Sequence, residues 1–236
     1  FEEKPKDPKT RSGEDNKVLV SMGIYVVSQK YLSSMLRDDS VSERSNHDFG
    51  KDIIPEGLRR GDHFHAYMFR NPTNDDPPYW RDVGTVDSYY AANMELLEPE
   101  PPLNLYDKAW PIATYQRQLP PAFIKPGKDD SDIQSSIIGS ACVIENSEIR
   151  RSVIFSEVRV DSGCKISGVL ALGGCRIGAN CHLQNVILDN GCIVPPGSII
   201  GFDPKADAEK FYITREGVVL INRQMLGQGI SYNPEF

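Results

Sequence analysis

The segment SIIGSACVIENSEIRRSVIFSEVRVDSGCKISGVLALGGCRIGANCHLQNVILDNGCIVPPGSIIG, residues 136–201, carries the reading that decides the fold. Aliphatic residues recur through it at Ile138, Ile144, Ile149, Ile154, Val160, Ile166, Leu172, Ile177, Leu183, Leu188, Val194 and Ile200, at steps of five or six. A step of six fits neither the 3.6-residue period of a helix nor the alternation of a sheet meander. It fits hexapeptide repeats, in which three short faces make one coil of a left-handed parallel β-helix and every aliphatic points into the prism. Twelve such positions at three per coil make about four coils, enough to bury a continuous core. Gly139, Gly178 and Gly201 each follow an aliphatic, where a corner requires permissive backbone.

The five cysteines fall into the same pattern. Cys142, Cys164, Cys175, Cys181 and Cys192 each stand two residues before an aliphatic, a slot that elsewhere holds Ser136, Ser147, Ser152, Val158, Val186 and Ser198, with Leu170 as the large exception. They read as small buried spacers, since a free Cys packs as a small hydrophobe. An odd count with no CxxC pair suggests neither a disulfide framework nor a zinc site, and a reducing cytoplasm is the simplest setting.

Outward from the repeat the texture is different. PEPPLNLYDKAWPIATYQRQLPPAF, residues 99–123, holds six prolines and reads as an extended connector held down by its aromatics. Residues 1–100 read as mixed α/β. VLVSMGIYVV (18–27) and HFHAYMFR (63–70) have the character of strands. Ser28 is placed to cap a helix through SQKYLSSMLRDD, and Thr85 one through YYAANMELL that must stop before Pro99. The expected organisation is therefore 1–100, a connector over 101–134, and a β-helix domain with a C-terminal extension over 135–236.

Across 236 residues the composition is 39% hydrophobic and 25% charged, that of an ordinary globular protein. No apolar run reaches the roughly 18 residues of a membrane span. A formal charge of −7 argues against a broad nucleic-acid surface while leaving room for small phosphorylated ligands. The chain opens at Phe1 rather than Met, and is read as a piece of a longer parent.

A β-helix does not itself name a function. Acyltransferases built on one use a His base beside a protruding loop. Here the coils run without a long insertion, and His182, the only His among them, reads as a solvent-facing residue. Upstream, FEEKP sets Glu3 beside Lys4, a carboxylate suited to sugar hydroxyls and a compact cation suited to one phosphate. In YWRDVGT, residues 79–85, Asp82 is read at a strand end facing a cleft, able to hold Mg²⁺ with phosphate oxygens and water; the plainer reading has it capping the next helix.

FEEKP, SMGIYVV, SNHDFGKDIIP, PYWRDVGT, LNLYDKAWPIATY and LPPA, in this order, resemble the successive signatures of the bacterial ADP-glucose pyrophosphorylases, or glucose-1-phosphate adenylyltransferases. The likeness runs from Phe1 through REGVVLINRQML, and implies the C-terminal portion of such an enzyme: a remnant of a Rossmann-like nucleotidyltransferase domain followed by the β-helix. It implies that Glu3, Lys4, Ser21, Tyr25, Asp48, Phe49 and Trp80 hold glucose 1-phosphate. It further implies that Asp82 is a catalytic metal ligand for Mg²⁺, and that Arg223 belongs to an allosteric site for small phosphorylated effectors. The implied reaction joins ATP and glucose 1-phosphate into ADP-glucose and diphosphate, for glycogen biosynthesis, in a cytoplasmic homotetramer without nucleic-acid or membrane partners. The family's Gly-rich nucleotide loop precedes FEEKP and is not in this sequence, so the chain is expected to be inactive alone. LPPAFIK lacks the Lys that follows PPA in relatives, and Gly227 and Asn190 stand where some have basic residues. Two other classes remain open at this point: a non-catalytic regulatory or assembly module, and a β-helix acyltransferase.

Overall fold

The computed structural model describes residues 5, 7, 10, 18–71, 78–125 and 131–229. The chain divides into two compact units, residues 1–70 and 71–236.

The larger unit is a parallel β-solenoid, the architecture expected of a left-handed β-helix. Its short strands stack in register with residues of the neighbouring coils. On one face Ile149 lies over Ile166, Leu183 and Ile200. A second face stacks Ile144, Val160, Ile177 and Val194. The third stacks Ile138, Ile154, Ala171, Leu188 and Ile221. Nearly all of these side chains are fully buried and form one continuous core. After Ile200 the chain leaves the prism through α4 (Pro204–Ala208), then returns at Val219–Ile221 to complete the third face.

One position departs from the repeat as read in sequence. The inward residue between Ile166 and Ile177 is Ala171, whereas Leu172 lies outside the prism and packs against an outer apolar cluster. The spacer two places before Ala171 is Val169, stacked on Val186, so Leu170 is no exception in the inner slot. It points outward. The step of five falls one residue early because KISGVLA, residues 165–171, runs as one strand through a Gly168 with φ +63°.

Gly201 alone of the three corner glycines adopts a left-handed backbone, φ +90°. Gly139 is needed for another reason: an added Cβ would come within 2.6 Å of the backbone nitrogen of Ser156 on the next coil.

The outward Leu170 has a partner. α3 (Val86–Met94) is started by a reciprocal Thr85–Ser88 capping box and lies on the solenoid wall. Its Val86, Tyr89, Tyr90 and Met94 pack with Val153, Leu170, Ile187 and Val218. Tyr90 donates its hydroxyl proton to the Gly168 carbonyl at 2.7 Å. Residues 78–97 therefore pack with the β-helix within the larger unit.

The connector is held by polar contacts, not by its aromatics. Tyr106, Trp110 and Tyr115 are exposed. Arg117 instead pairs with Glu157 at 2.6 Å, and Ala141 donates its backbone N–H to the Pro120 carbonyl at 2.7 Å.

In the smaller unit α1 (Gln29–Ser40) begins at Ser28 as its sequence indicates. A π-helical turn, Phe49–Ile53, leads into α2 (Ile54–Arg59). Met35, Ile53 and Ile54 form its small buried centre. The segments 18–27 and 63–70 are extended but form no ladder among the described residues. A strand exists only by pairing, and without a partner its apolar side chains stay in water: Ile24 is 75% exposed and Val26 fully so.

All five thiols are free and buried. Burial pushes Cys175 up to about 12 and Cys192 up to about 11, while a hydrogen bond with Cys181 together with burial pushes Cys164 up. At neutral pH a raised thiol keeps its proton, and a thiol is a poor nucleophile. Cys181 is the exception, lowered to about 7 by its hydrogen bond with Cys164, and only its complete burial shields it. Iodoacetamide at pH 7.5 is expected to spare Cys142, Cys164, Cys175 and Cys192 in the native chain, with any native labelling confined to Cys181, and to label all five in denaturant, read by mass spectrometry.

The packing also sets a contrast between adjacent residues. Ile166→Asp places an unpaired carboxylate in the prism and is expected to abolish the cooperative melt. Lys165 faces outward, 3.9 Å from Glu148, so Lys165→Ala should cost under about 0.5 kcal/mol. Cys164→Ser should be tolerated, because serine occupies the same slot at Ser147 and Ser198. Thermal melts followed by circular dichroism compare the three, and equal losses at 165 and 166 would contradict the register.

Candidate functional site

The residues singled out in the sequence separate into three places. Glu3 and Lys4 lie outside the described residues.

Ser21, Tyr25, Asp48 and Phe49 come together in the smaller unit. The Tyr25 and Phe49 rings stack with centroids 5.2 Å apart and planes at 26°. Ser21 Oγ lies 3.1 Å from the Tyr25 hydroxyl, and the Gly23 N–H reaches the same Ser21 oxygen at 3.2 Å. Gly23 has φ +71°, which turns the chain tightly enough for that contact. Asp48 is the cap of the helical turn: its Oδ1 accepts from the Gly50 and Lys51 N–H groups at 2.9 and 2.8 Å. The chain thus fixes the backbone of the turn that carries Phe49 before any ligand is present. An aromatic wall flanked by two hydroxyls suits a sugar ring with a polar rim.

The loop leading into this turn is more organised than the sequence suggested. Asp39, at the end of α1, accepts from Ser45 Oγ at 2.5 Å and contacts His47 Nδ1 at 2.8 Å. These hydrogen bonds hold the Asp39 carboxyl below the usual carboxylate range. Asp52 Oδ2 accepts from the backbone of both Asn46 and Asp48 at 3.1 Å. Sequence reading passed over Asp39, Ser45 and Asp52. Their only sequence signal is a run of capping-type residues around a short motif.

Trp80 and Asp82 belong to the larger unit. Asp82 is in an exposed loop before α3 and not at a strand end; the segment has no pairing partner among the described residues. It does not cap α3, since Thr85 does. Its Oδ1 instead accepts from the Gly84 N–H at 2.8 Å, which leaves the carboxylate exposed to solvent. The loop is braced by Arg81, which pairs with Glu95 at 3.0 Å and lies 5.2 Å from the centre of the Tyr79 ring. Among the described residues no cluster of three acidic, His or Cys side chains could cage a metal ion. A single exposed carboxylate fits Mg²⁺ held mostly by phosphate oxygens and water.

A nucleotidyl transferase family model matches residues 1–99, and a model of the GlmU-like C-terminal hexapeptide matches residues 120–221. Glucose-1-phosphate adenylyltransferases of Paraburkholderia phytofirmans and Shewanella amazonensis are each 45% identical to this chain, over 237 and 235 residues. That of Nitrosococcus oceani is 44% identical over 234 residues. Over nearly its whole length the chain is similar to glucose-1-phosphate adenylyltransferases. The alignments take in 98% of this chain and 55 to 56% of the relatives, so it spans a little over half their length. Its two matched regions meet the family's two parts, nucleotidyltransferase and hexapeptide repeat, on either side of the Pro-rich connector. No helix among the described residues is long and apolar enough to cross a membrane.

Arg223 lies at the far end of the family's β-helix, and its geometry is that of a cap. Its guanidinium donates to the carbonyls of Gly191 at 2.6 Å and Gly229 at 2.9 Å. Gln228 lies beside it. Its side-chain amide accepts from the Ile193 N–H at 3.1 Å and donates to the Ile193 carbonyl at 2.6 Å, which copies the contacts of a further strand. Together they cover an edge that would otherwise offer unpaired backbone.

From this arrangement, Arg223→Ala and Gln228→Ala should each lower stability by about 1 kcal/mol, measured by urea unfolding in the absence of any effector. Arg223→Lys should not restore it, because an ammonium lacks the fork that reaches both carbonyls.

Proposed function

We propose that this chain carries the glucose 1-phosphate subsite of an adenylyltransferase that joins the sugar phosphate to the α-phosphorus of ATP and releases diphosphate, supplying ADP-glucose for glycogen. The observation that carries the reading is the assembly of Ser21, Tyr25 and Phe49 into one stacked and hydrogen-bonded group. The family resemblance assigns these residues to the sugar phosphate, and their grouping supports that reading.

In this reading the Tyr25–Phe49 wall receives the glucose ring while Glu3 binds sugar hydroxyls and Lys4 the phosphate. Asp48 keeps the Phe49 turn in place from behind, and the family resemblance alone assigns Trp80 to the sugar phosphate. Mg²⁺, when bound, neutralises charge on the phosphate oxygens, and Asp82 is the residue of this chain that would hold it. Alignment of the attacking phosphate oxygen is then the chain's own contribution to the rate. The whole enzyme is read as a cytoplasmic homotetramer, with Arg223 near a site for phosphorylated effectors. Two donors of Arg223 are already committed to carbonyls, so such an effector would meet the remaining Nη.

Calorimetric titration of the chain with glucose 1-phosphate tests the subsite. Binding is expected, with Tyr25→Ala weakening it at least about tenfold through lost stacking area. Absence of binding, or an unaffected Tyr25→Ala variant, would overturn the reading.

In an enzyme of the relatives' full length that contains this segment, the two charged roles separate. Asp82→Asn should lower kcat by about a hundredfold or more with little change in KM for glucose 1-phosphate, because a metal ligand serves charge that develops in the transition state. Lys4→Ala should chiefly raise that KM. Steady-state kinetics decide, and parallel behaviour of the two variants would contradict the assignment.

A further inference from the structure

We propose that His47 is an additional sugar-contacting residue of this subsite, with its Nε2 accepting a hydrogen bond from a hydroxyl of the glucose ring. The inference rests on the subsite reading above and adds a contact to it.

His47 occupies a left-handed backbone conformation, φ +58°. For a residue with a Cβ this conformation is disfavoured, and it persists only where the surroundings enforce it. Here they do. The His47 N–H donates to Ser45 Oγ at 2.9 Å. The amides on either side, of Asn46 and Asp48, are both held by Asp52 Oδ2. The backbone at 47 is therefore clamped from both flanks.

The ring is clamped as well. Nδ1 lies 2.8 Å from Asp39 Oδ2, and an ionised carboxylate can only accept, so Nδ1 carries the hydrogen. The other Asp39 oxygen is taken by Ser45 Oγ. With the hydrogen held on Nδ1, Nε2 of the neutral imidazole is a lone-pair acceptor of fixed direction, and the neutral form is the one the proposal invokes. Among the described residues Nε2 has no hydrogen-bond partner, and the His47 side chain is 57% exposed while that of Asp39 is 13% exposed. This oriented acceptor immediately precedes Asp48 and stands two residues before Phe49, the ring that stacks on Tyr25.

If His47 only stapled the loop, asparagine would do as well. Asn is at home in the left-handed region, and its amide reaches about as far as Nδ1. What Asn lacks is the group at Nε2, and what glutamine restores is a polar atom at that distance. The two substitutions therefore separate a staple from a sugar contact.

The experiment uses the chain with imidazole nitrogens labelled for NMR, titrated with glucose 1-phosphate and, separately, with inorganic phosphate. Glucose 1-phosphate is expected to shift the His47 Nε2 resonance, and inorganic phosphate is not. His47→Asn should keep the parent melting temperature and the Ser45, Asn46 and Asp48 amide shifts, yet bind glucose 1-phosphate about five- to tenfold more weakly, as befits one lost hydrogen bond. His47→Gln should recover part of that loss. If glucose 1-phosphate binds and perturbs the Tyr25 and Phe49 rings while His47 Nε2 does not move, or His47→Asn binds like the parent, His47 is only a staple and the proposal falls. If inorganic phosphate shifts Nε2 equally, the hydroxyl assignment falls. If glucose 1-phosphate does not bind at all, the subsite reading fails and takes this inference with it.

Discussion

Backbone N–H groups of one coil donate to carbonyls of the next, as from Arg159 to Cys175, Arg176 to Cys192 and Lys165 to Cys181. That parallel ladder is the constraint on which the larger unit depends. It forces each inward residue to stand directly over another, so a side chain that fits one coil must suit its neighbours too. Branched aliphatics fill the prism, and Ser or Cys fills the narrow slots because a larger residue there would meet the coil above. Ser147 shows how the slots help the ladder: its hydroxyl accepts from the Cys164 N–H and donates to the Asp161 carbonyl. The same logic explains the end of the solenoid, where among the described residues no coil follows β-strand Ile193–Val194 and the Gln228 amide stands in for one.

Once the ladder exists, its outer wall positions the first part of the larger unit. Strand 165–171 turns Leu170 outward and offers the Gly168 carbonyl, and α3 settles on both. An added Cβ at Gly168 would come within 2.8 Å of the Tyr90 hydroxyl, so the small residue and the half-buried tyrosine belong to one arrangement. The loop that carries Trp80 and Asp82 is anchored to the end of this helix through Arg81 and Glu95. The solenoid wall thereby holds the helix from which the Asp82 loop is braced.

The smaller unit solves a different problem with little apolar material. Its order comes from short-range polar bonds: Tyr31 to Asp62 at 2.7 Å, Arg60 to Asp38 and Glu56, and carboxylates of Asp39, Asp48 and Asp52 around residues 45–51. Such bonds fix a turn in one shape while adding modestly to stability, since each replaces bonds to water. They suit a ligand-holding loop, where geometry matters more than strength.

The sequence by itself determined the β-helix, its inward aliphatics, the burial of the cysteines, and the Ser28 and Thr85 caps. A period of six and a capping side chain are local rules that every repeat or helix start must obey. It also carried the likeness to the adenylyltransferases, because ordered motifs such as SMGIY and YDKAWPIATY survive as strings. Tertiary structure alone decided that Ala171 rather than Leu172 faces inward, since only docking of α3 gives Leu170 and Leu172 an outside partner. It likewise decided that residues 18–27 and 63–70 form no strands among the described residues, because pairing is a property of two segments and one segment cannot supply it. Arg223, read in sequence as an effector contact, also donates to the carbonyl of Gly191, a residue 32 positions away in the chain that no local pattern connects to it. Asp39 went unnoticed, and Ser45 and His47, though inside the quoted SNHDFGKDIIP, received no role of their own, for the same reason: their meaning lies in where a turn brings them, and a turn held by side chains leaves no period to read.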